Sequence, residues 1–195
     1  MTDEKINNNG FDFIDLGLPS GTLWATANVG ASEPTDFGMY FRWGDLQGYK
    51  ADQVGENKQF NWEDYEWEKY RIPKTTLDLE DDAANHYMGG SWHIPSYQQI
   101  KELMDNTISK WANLNCIKGY LLTSKNDKSI FIPAAGYMSP TDGSVRYRGT
   151  DCNIWTSMLD TLNDDYGQYL YLYLGGANFD SSLRDVGFSV RGVIG

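Results

Sequence analysis

The most regular pattern in the chain is an alternation of tyrosine and leucine near its C-terminal end, in the segment QYLYLYLGG. Successive residues of a β-strand face opposite sides, so the two residue types occupy different faces. The pattern predicts a strand with a buried leucine face, made of Leu170, Leu172 and Leu174. The opposite face carries Tyr169, Tyr171 and Tyr173, and it meets either solvent or a second packed layer.

Two segments carry helical signals. Leu79–Tyr87 begins with acidic side chains, which favour the positive end of a helix, and glycines follow it, so we predict a short helix. Ser96 and Gln99 have the spacing of a capping box. Apolar residues then recur at helical spacing and predict a second helix that includes Ile100, Leu103, Met104, Ile108 and Trp111.

Short apolar runs bounded by turn residues predict strands elsewhere, namely from Phe11 and over 120–123, 129–132 and 145–148. Asn126–Asp127 predicts a hairpin turn between two of them, and the polar stretch 46–58 predicts a surface loop. Met1–Gly10 is polar and rich in asparagine, so we expect a disordered leader and a single domain over 11–195. Two helices between strand-rich ends indicate the α+β class.

Length and charge limit the function classes. A chain of 195 residues corresponds to one domain, at about 150 residues per domain. Its net charge of −11 would repel phosphate backbones and anionic lipids, so no nucleic-acid partner is expected. We also expect no membrane insertion, since no run of about 18 apolar residues occurs. The first ten residues carry no signal peptide, although one could have preceded them.

Aromatic residues make up 14% of the chain, and both a core and a binding face are plausible uses for them. The two cysteines, Cys116 and Cys152, are 36 positions apart. They either form a disulfide or remain two buried free thiols.

Enzyme motifs are absent: the chain has no zinc-protease HExxH, no GxSxG elbow, no phosphate-binding GxxxxGK[ST] loop and no GxGxxG. We interpret His86 and His93 as packed, hydrogen-bonded histidines. The acidic runs at 80–82 and 163–165 match no ligand loop, and the helix dipole and turn formation account for them. We therefore expect no catalytic residues, no metal and no cofactor.

Six motifs spread over most of the chain are long enough to be specific. They are GLPSGTLWATANVGA (17–31), FGMYFRWG (37–44), LEDDAA (79–84), GGSWHIPS (89–96), IFIPAAGY (130–137) and GFSVRGV (187–193). As a set they resemble the Fibrobacter-type major paralogous domain family, which is abundant in gut bacteria and their phages. The resemblance implies a C-type-lectin-like fold with two helices and a mixed, mainly antiparallel sheet. It also implies a ligand-binding face near the C-terminus.

The same fold serves formylglycine-generating enzymes, calcium-dependent lectins and the variable proteins of diversity-generating retroelements, so site residues must separate them. The enzymes use neighbouring cysteines near the C-terminus, whereas Cys152 stands alone. The lectins carry EPN or QPD and WND signatures, whereas this chain has Glu33-Pro34-Thr35 and Trp155-Thr156-Ser157. Neither of these two activities is expected.

Retroelement variable proteins diversify AAY codons, which cannot become Lys, Glu, Gln, Met or Trp. These five types account for 37 of the 195 residues, so about five are expected among the 28 residues 159–186. That segment contains one, Gln168, and it lies directly before GFSVRGV. The depletion favours a diversified segment at 159–186.

We therefore predict a ligand-binding protein, not an enzyme, of the retroelement variable-protein type, such as a phage receptor-binding adhesin or a cell-surface binder. We expect the ligand to be a cell-surface protein or glycan. The expected location is a phage virion or a bacterial surface. The chain could form a homo-oligomer such as a trimer. The alternatives are a structural or assembly module with a fixed surface and, third, a formylglycine-generating-enzyme-like oxidase. The predicted binding residues are Leu159, Asp160, Thr161, Asn163, Asp164, Asp165, Tyr169, Tyr171, Tyr173, Asn178, Asp180, Ser181, Leu183, Arg184 and Asp185.

Overall fold

The chain has an α+β architecture with two α-helices and mostly antiparallel sheets, as a computed structural model describes it for residues 6–51 and 67–195. Met1–Lys5 and the part of the predicted 46–58 loop beyond residue 51 lie outside the described residues. The helices are α1 (Ala83–Met88) and α2 (Tyr97–Asp105), and 3-10 turns span Trp67–Lys69 and Leu79–Asp81. The strands are β1 (Ile6–Asn8), β2 (Phe11–Asp15), β3 (Leu23–Ala25), β4 (Tyr40–Phe41), β5 (Gly48–Tyr49), β6 (Thr107–Leu114), β7 (Ile117–Ser124), β8 (Ser129–Pro133), β9 (Tyr137–Met138), β10 (Val145–Arg146), β11 (Asp151–Leu159), β12 (Tyr166–Tyr173), β13 (Gly176–Leu183), β14 (Phe188–Ser189) and β15 (Val193–Ile194).

The largest sheet places its strands in the order β13-β12-β11-β14-β4-β5. Its neighbouring strands are antiparallel except β11 and β14, which are parallel. A second sheet, β1-β2-β3-β15, joins the first described strand to the last one. Strands β6, β7 and β8 form a meander, and β9 with β10 forms a two-stranded ribbon.

Alternate residues of β11 and β12 enter two different hydrophobic clusters. Leu170 and Leu172 pack with Ile100 and Leu103 of α2, so this helix covers the leucine face of β12. Trp155 and its neighbours on the opposite face join a second cluster that contains Trp43 and Trp92. The predicted alternation therefore holds, and the large sheet carries packed side chains on both faces.

Both helices begin at the caps that their sequences specify. The Asp82 carboxylate accepts the amide of Asn85 at 2.9 Å, and it also accepts the amide of Ile94 at 2.7 Å. In the predicted capping box, Ser96 Oγ accepts the Gln99 amide at 3.2 Å, and Gln99 Oε1 accepts the Ser96 amide at 2.9 Å. These two caps fix where the chain enters each helix.

The second helix is shorter than its pattern predicts, and including Ile108 and Trp111 in it was wrong. The side chains of Asn106 and Thr107 donate to the carbonyls of Glu102 and Leu103 and end the helix. The chain then continues directly as β6, in register with β7 over residues 107–114. Ile108 is left 79% exposed.

Two other expectations need correction. Residues 6–10 are not a disordered leader, because β1 pairs with β2 and the Trp92 indole donates to the carbonyl of Asn8 at 3.2 Å. Leu174 is not buried with its neighbours, because β12 ends at Tyr173 and leaves this side chain 74% exposed in the turn. The other predicted strands, the short helix and the turn at Asn126–Asp127 are confirmed, with Ser124 bonding across that turn to Lys128 at 2.9 Å.

Candidate functional site

The tyrosine face of β12 forms the floor of an open cleft of about 620 Å³. This tyrosine cleft is lined by Tyr137, Ser139, Pro140, Thr141, Arg146, Tyr147, Asp151, Asn153, Tyr169, Tyr171, Ser182, Val186 and Phe188. The floor comes from β11, β12, β13, β14 and the turn before β14, and one wall comes from residues 137–147. Its volume lies within the range of small-ligand sites, which is roughly 300–1,000 Å³.

Strand register explains which side chains share the floor. Tyr171 lies opposite Asn153 of β11 and opposite Asn178 of β13. Residues directly opposite each other in antiparallel strands point to the same face. The same rule places Asp151 beside Tyr173 and Asp180 beside Tyr169. A row of tyrosines is thereby flanked by carboxylates and amides.

Ring contacts connect this floor to the hydrophobic core. Tyr171 stacks on Tyr173, with ring centroids 4.9 Å apart, and Tyr169 lies 6.3 Å from Tyr171. Tyr169 also contacts the buried Phe188 at 4.5 Å, and Phe188 in turn contacts Trp155 at 4.4 Å. Tyr169 therefore packs on a second layer, whereas Tyr171 and Tyr173 remain half-exposed at the surface.

The wall is held by short turns. Gly136 begins it with φ +69°, and a Cβ at this position would lie 2.0 Å from the carbonyl of Arg146, so only glycine fits. The Asp142 carboxylate accepts the amide and hydroxyl of Ser144 and closes the tip. Tyr147, with φ +56°, turns the chain back towards β11 and stacks on Tyr137 with centroids 5.8 Å apart.

The cleft and its edge carry two carboxylates, Asp151 and Asp180, and one arginine, Arg146. Burial, and after it the charge of Asp180, raises the pKa of Tyr169. Burial and the charge of Asp151 raise the pKa of Tyr171 in the same way. Both phenols are therefore uncharged at neutral pH. The positive charge of Arg146 lies 3.7 Å from the Asp142 carboxylate, at the tip of the wall.

The structure divides the predicted binding residues into groups. Tyr169 and Tyr171 line the cleft, and the same tyrosine face carries Tyr173, Asn178 and Asp180. Another group lies in or against the loop between β11 and β12, and comprises Asp160, Thr161, Asn163, Asp164, Asp165 and Ser181. Leu183, at the end of β13, is exposed, and Asp185, in the turn after it, is partly buried.

Two predicted surface residues are buried, and placing them on the binding face was wrong. Leu159 is fully buried in the second cluster, where β11 bonds to the carbonyl of Thr75. Arg184 is 2% exposed, and its guanidinium lies over the ring of Trp43 at 4.9 Å. Arg184 also donates to the carbonyls of Tyr70 and Asp164. Its role is to hold the loop after β11 against the core.

The loop after β11 uses its acidic residues for its own structure. Arg71 donates to Asp164 and Asp165 at 3.0 and 2.8 Å. Asp160 accepts the Ser181 hydroxyl at 2.6 Å and the amides of Leu162 and Asn163, and these bonds lower its pKa. Turn formation and ion pairing thus account for this acidic run.

The other acidic run is also an ion-pair cluster. Asp78, Glu80 and Asp81 converge within 4.8 Å of one another. The ammonium of Lys69 lies among them, 3.3 Å from Asp78 and 2.6 Å from Asp81, with Glu80 as a further partner. The three carboxylates raise the pKa of Lys69, which is therefore charged in this position.

The histidines and cysteines differ in part from expectation. His93 is hydrogen-bonded as predicted, by the Ser91 carbonyl at 3.1 Å and Gln99 at 3.3 Å. His86 is not packed, because it lies exposed on α1 with its ring against Tyr87. Both cysteines are free: Cys152 is buried, but Cys116 is exposed at the turn between β6 and β7.

The sequence did not predict the wall or most of the floor. The lining residues it did not predict are Tyr137, Ser139, Pro140, Thr141, Arg146, Tyr147, Asp151, Asn153, Ser182, Val186 and Phe188. Only strand register could have placed Asp151 and Asn153, since they lie opposite Tyr173 and Tyr171. The one available signal for the wall was IFIPAAGY, which ends at Tyr137.

Comparison of the chain with models of known families, with curated proteins and with solved structures found no match. Neither helix in the described ranges is long and apolar enough to cross a lipid bilayer.

Proposed function

We propose that this chain is a ligand-binding protein with a C-type-lectin-like fold, in which the tyrosine cleft and the exposed residues around it contact a cell-surface protein or glycan. In this proposal it is a variable protein of a diversity-generating retroelement, acting as a phage receptor-binding adhesin or a bacterial cell-surface binder. The role is binding and not catalysis.

One observation carries the proposal. The segment 159–186, which is depleted in Lys, Glu, Gln, Met and Trp, supplies Tyr169, Tyr171, Ser182 and Val186 to the cleft. The same segment forms the edge strand β13, whose outward residues include Asn178 and Asp180. Tyrosine and asparagine are favoured in binding surfaces, because tyrosine gives contact area with little entropy loss and asparagine gives adaptable hydrogen bonds.

The motif after the segment has the properties of a fixed scaffold, which supports the same proposal. Arg191 of GFSVRGV is fully buried, and it donates to Asn28 and to the carbonyls of Ala25 and Phe131. Phe188 of the same motif supports the floor of the cleft from below. A variable surface on a fixed support matches the expected organisation of such proteins.

The oxidase alternative receives less support. Cys152 is fully buried, and burial raises the pKa of its thiol, so this residue is a poor nucleophile and a poor metal ligand.

A second candidate function, an assembly module with a fixed surface, is supported by one observation. Strand β6 lies at the edge of its sheet, with Ile108 79% and Leu114 41% exposed. Exposed apolar edge strands favour pairing with another chain. Two results together would favour this candidate. The chain would self-associate and lose this association in Ile108→Lys, and substitutions in the cleft would leave cell binding unchanged.

The test is binding of the purified, fluorescently labelled chain to a panel of gut bacterial cells. Tyr171→Ala is expected to weaken binding to the recognised strain at least tenfold, since this ring lies at the centre of the floor. Leu79→Ala is the control, because this side chain is 56% exposed in the 3-10 turn Leu79–Asp81, outside both the cleft and the segment 159–186. Equal binding by Tyr171→Ala and the unchanged chain, with both folded by circular dichroism, contradicts the proposal.

A further inference from the structure

We propose that the tyrosine cleft selects a cationic group, the guanidinium or ammonium of an Arg or Lys side chain that a protein ligand presents. This inference rests on the proposed function, namely that the cleft is where a ligand binds. The inference favours a protein, and not a glycan, as that ligand. The charges, the ring arrangement and the hydrogen-bonding groups of the cleft all favour this choice.

Two carboxylates at the cleft have no cationic partner among the described residues. Asp151 lines the cleft, and Asp180 lies at its edge beside Tyr169. In the described ranges, no lysine or arginine nitrogen lies within 4 Å of either carboxylate, whereas Asp164 and Asp165 both have Arg71. Asp151 and Asp180 thus have negative charge available for a ligand.

Arg146 lines the cleft, but its charge is paired within the wall. Arg146 lies 3.7 Å from Asp142, and its Nε contacts Ser144 at 3.4 Å. Its charge is therefore offset locally, at the tip of the wall. Because the whole chain carries −11, an acidic sugar or a phosphate would meet repulsion here, and a cation would be attracted.

Tyrosine rings line both the wall and the floor of the cleft. Tyr147 is 61% exposed and belongs to the wall, Tyr171 belongs to the floor, and Asp151 is a further lining residue. Aromatic faces attract cations, and Arg does so most often because its flat guanidinium also stacks. Raised pKa values keep Tyr169 and Tyr171 neutral, so no phenolate alters this arrangement.

A cation and a neutral sugar differ in what they gain from this cleft. Tyr173 covers one face of Tyr171, at an interplanar angle of 19°. Carboxylates lie next to these rings, since Asp151 is opposite Tyr173 and Asp180 is opposite Tyr169. Carboxylate and phenol oxygens accept the N–H donors of a guanidinium or ammonium, and only a cation also gains the charge interaction.

The test compares two small probes of nearly the same shape by NMR titration of the full chain. The cationic probe is Nα-acetyl-arginine methylamide, and the neutral control is Nα-acetyl-citrulline methylamide. The arginine probe is expected to shift the ring signals of Tyr147 and Tyr171 saturably, with at least tenfold higher affinity than the citrulline probe. Adding 0.5 M NaCl is expected to weaken the arginine probe only.

Charge-removing variants complete the test. Asp151→Asn and Asp180→Asn are each expected to weaken the arginine probe about tenfold, whereas the control Asp105→Asn, on α2, has no effect. Two carboxylate variants are used because one of them could disturb the fold, which circular dichroism will reveal. Equal affinity for both probes, no saturable shift with arginine, or no effect of either variant overturns the inference.

The cell-binding assay distinguishes an error in the cation inference from an error in the proposed function. If Tyr171→Ala abolishes cell binding but the two probes bind equally, the cleft binds a ligand and the cation inference is wrong. Binding of the chain to neutral glycans on an array, lost in Tyr171→Ala, would also overturn the cation inference and would identify a glycan ligand. If Tyr171→Ala binds cells normally, the proposed function itself is wrong.

Discussion

The rings of Tyr171 and Tyr173 stack at the surface of β12, with centroids 4.9 Å and planes 19° apart. They are separated by one leucine that points into the core on the other side of the strand. The stack therefore lies on the face of β12 that carries the cleft, and not in the hydrophobic core. We therefore expect the loss of one of these rings to affect ligand binding more than the free energy of unfolding.

Tyr173→Ala is expected to lower the free energy of unfolding by about 0.5–1.5 kcal/mol, the usual value of an aromatic pair at the surface. Tyr173→Phe, which keeps the ring, is expected to remain close to the unchanged chain. Urea unfolding measures both variants. A loss of about 3 kcal/mol or more for Tyr173→Ala would place this ring in the core.

Leu172→Ala and Leu174→Ala form a matched pair on the same strand and its following turn. Leu172 is fully buried, so its truncation is expected to cost about 2–5 kcal/mol. Leu174 is 74% exposed, so its truncation should change stability by about 0.5 kcal/mol or less. Similar losses from both variants would contradict the end of β12 at Tyr173.

Arg191→Met is expected to destabilise the chain by about 3–5 kcal/mol, because it leaves three buried oxygen acceptors without a donor. Arg191→Lys should fail to rescue, since a single ammonium does not reproduce the planar fork of a guanidinium. Lys101→Met, at an exposed ion pair on α2, serves as the control. Thermal unfolding that is unchanged in Arg191→Met would contradict this assignment.

Hydrogen bonds from Ser144 and Ser139 lower the pKa of Asp142 from 3.8 to about 2. Because the pKa is lower in the folded state, the stabilising effect is complete above about pH 4 and is lost as the pH falls towards 2. NMR titration of the Asp142 carboxyl carbon should give a midpoint near 2. A midpoint close to 3.8 would mean that the turn at the tip of the wall is open in solution.

Local sequence patterns predicted the features that depend on residues close together in the chain. The alternation in β12 placed Leu170 and Leu172 correctly because a strand has a period of two. The capping box at Ser96 gave the start of α2, because the two residues that form it are only three apart. The same sequence could not give the end of α2, since Ile108 and Trp111 continue the helical spacing of apolar residues although they pair with β7.

Contacts between residues far apart in the chain determine the features that the sequence pattern did not predict. Leu159 and Arg184 looked like surface residues, but Thr75, Tyr70 and Trp43, more than eighty positions away, cover them. Likewise, residues 137–147 form one wall of the cleft because Met138 of β9 pairs with Gly187, just before β14. The tyrosines of the floor could be predicted from the alternation, whereas the wall could not.

Sequencing many copies of this gene from its source population tests the central claim most directly. We predict that substitutions concentrate at AAY-derived codons for exposed and half-exposed positions within 159–186, such as Tyr171, Asn178 and Asp180. Gly167 should stay fixed, since a Cβ there would lie 2.6 Å from the Trp43 ring, as should Trp155, Gln168 and the GFSVR residues. Scattered and mostly silent changes, spread equally over buried and exposed positions, would contradict a diversified binding face.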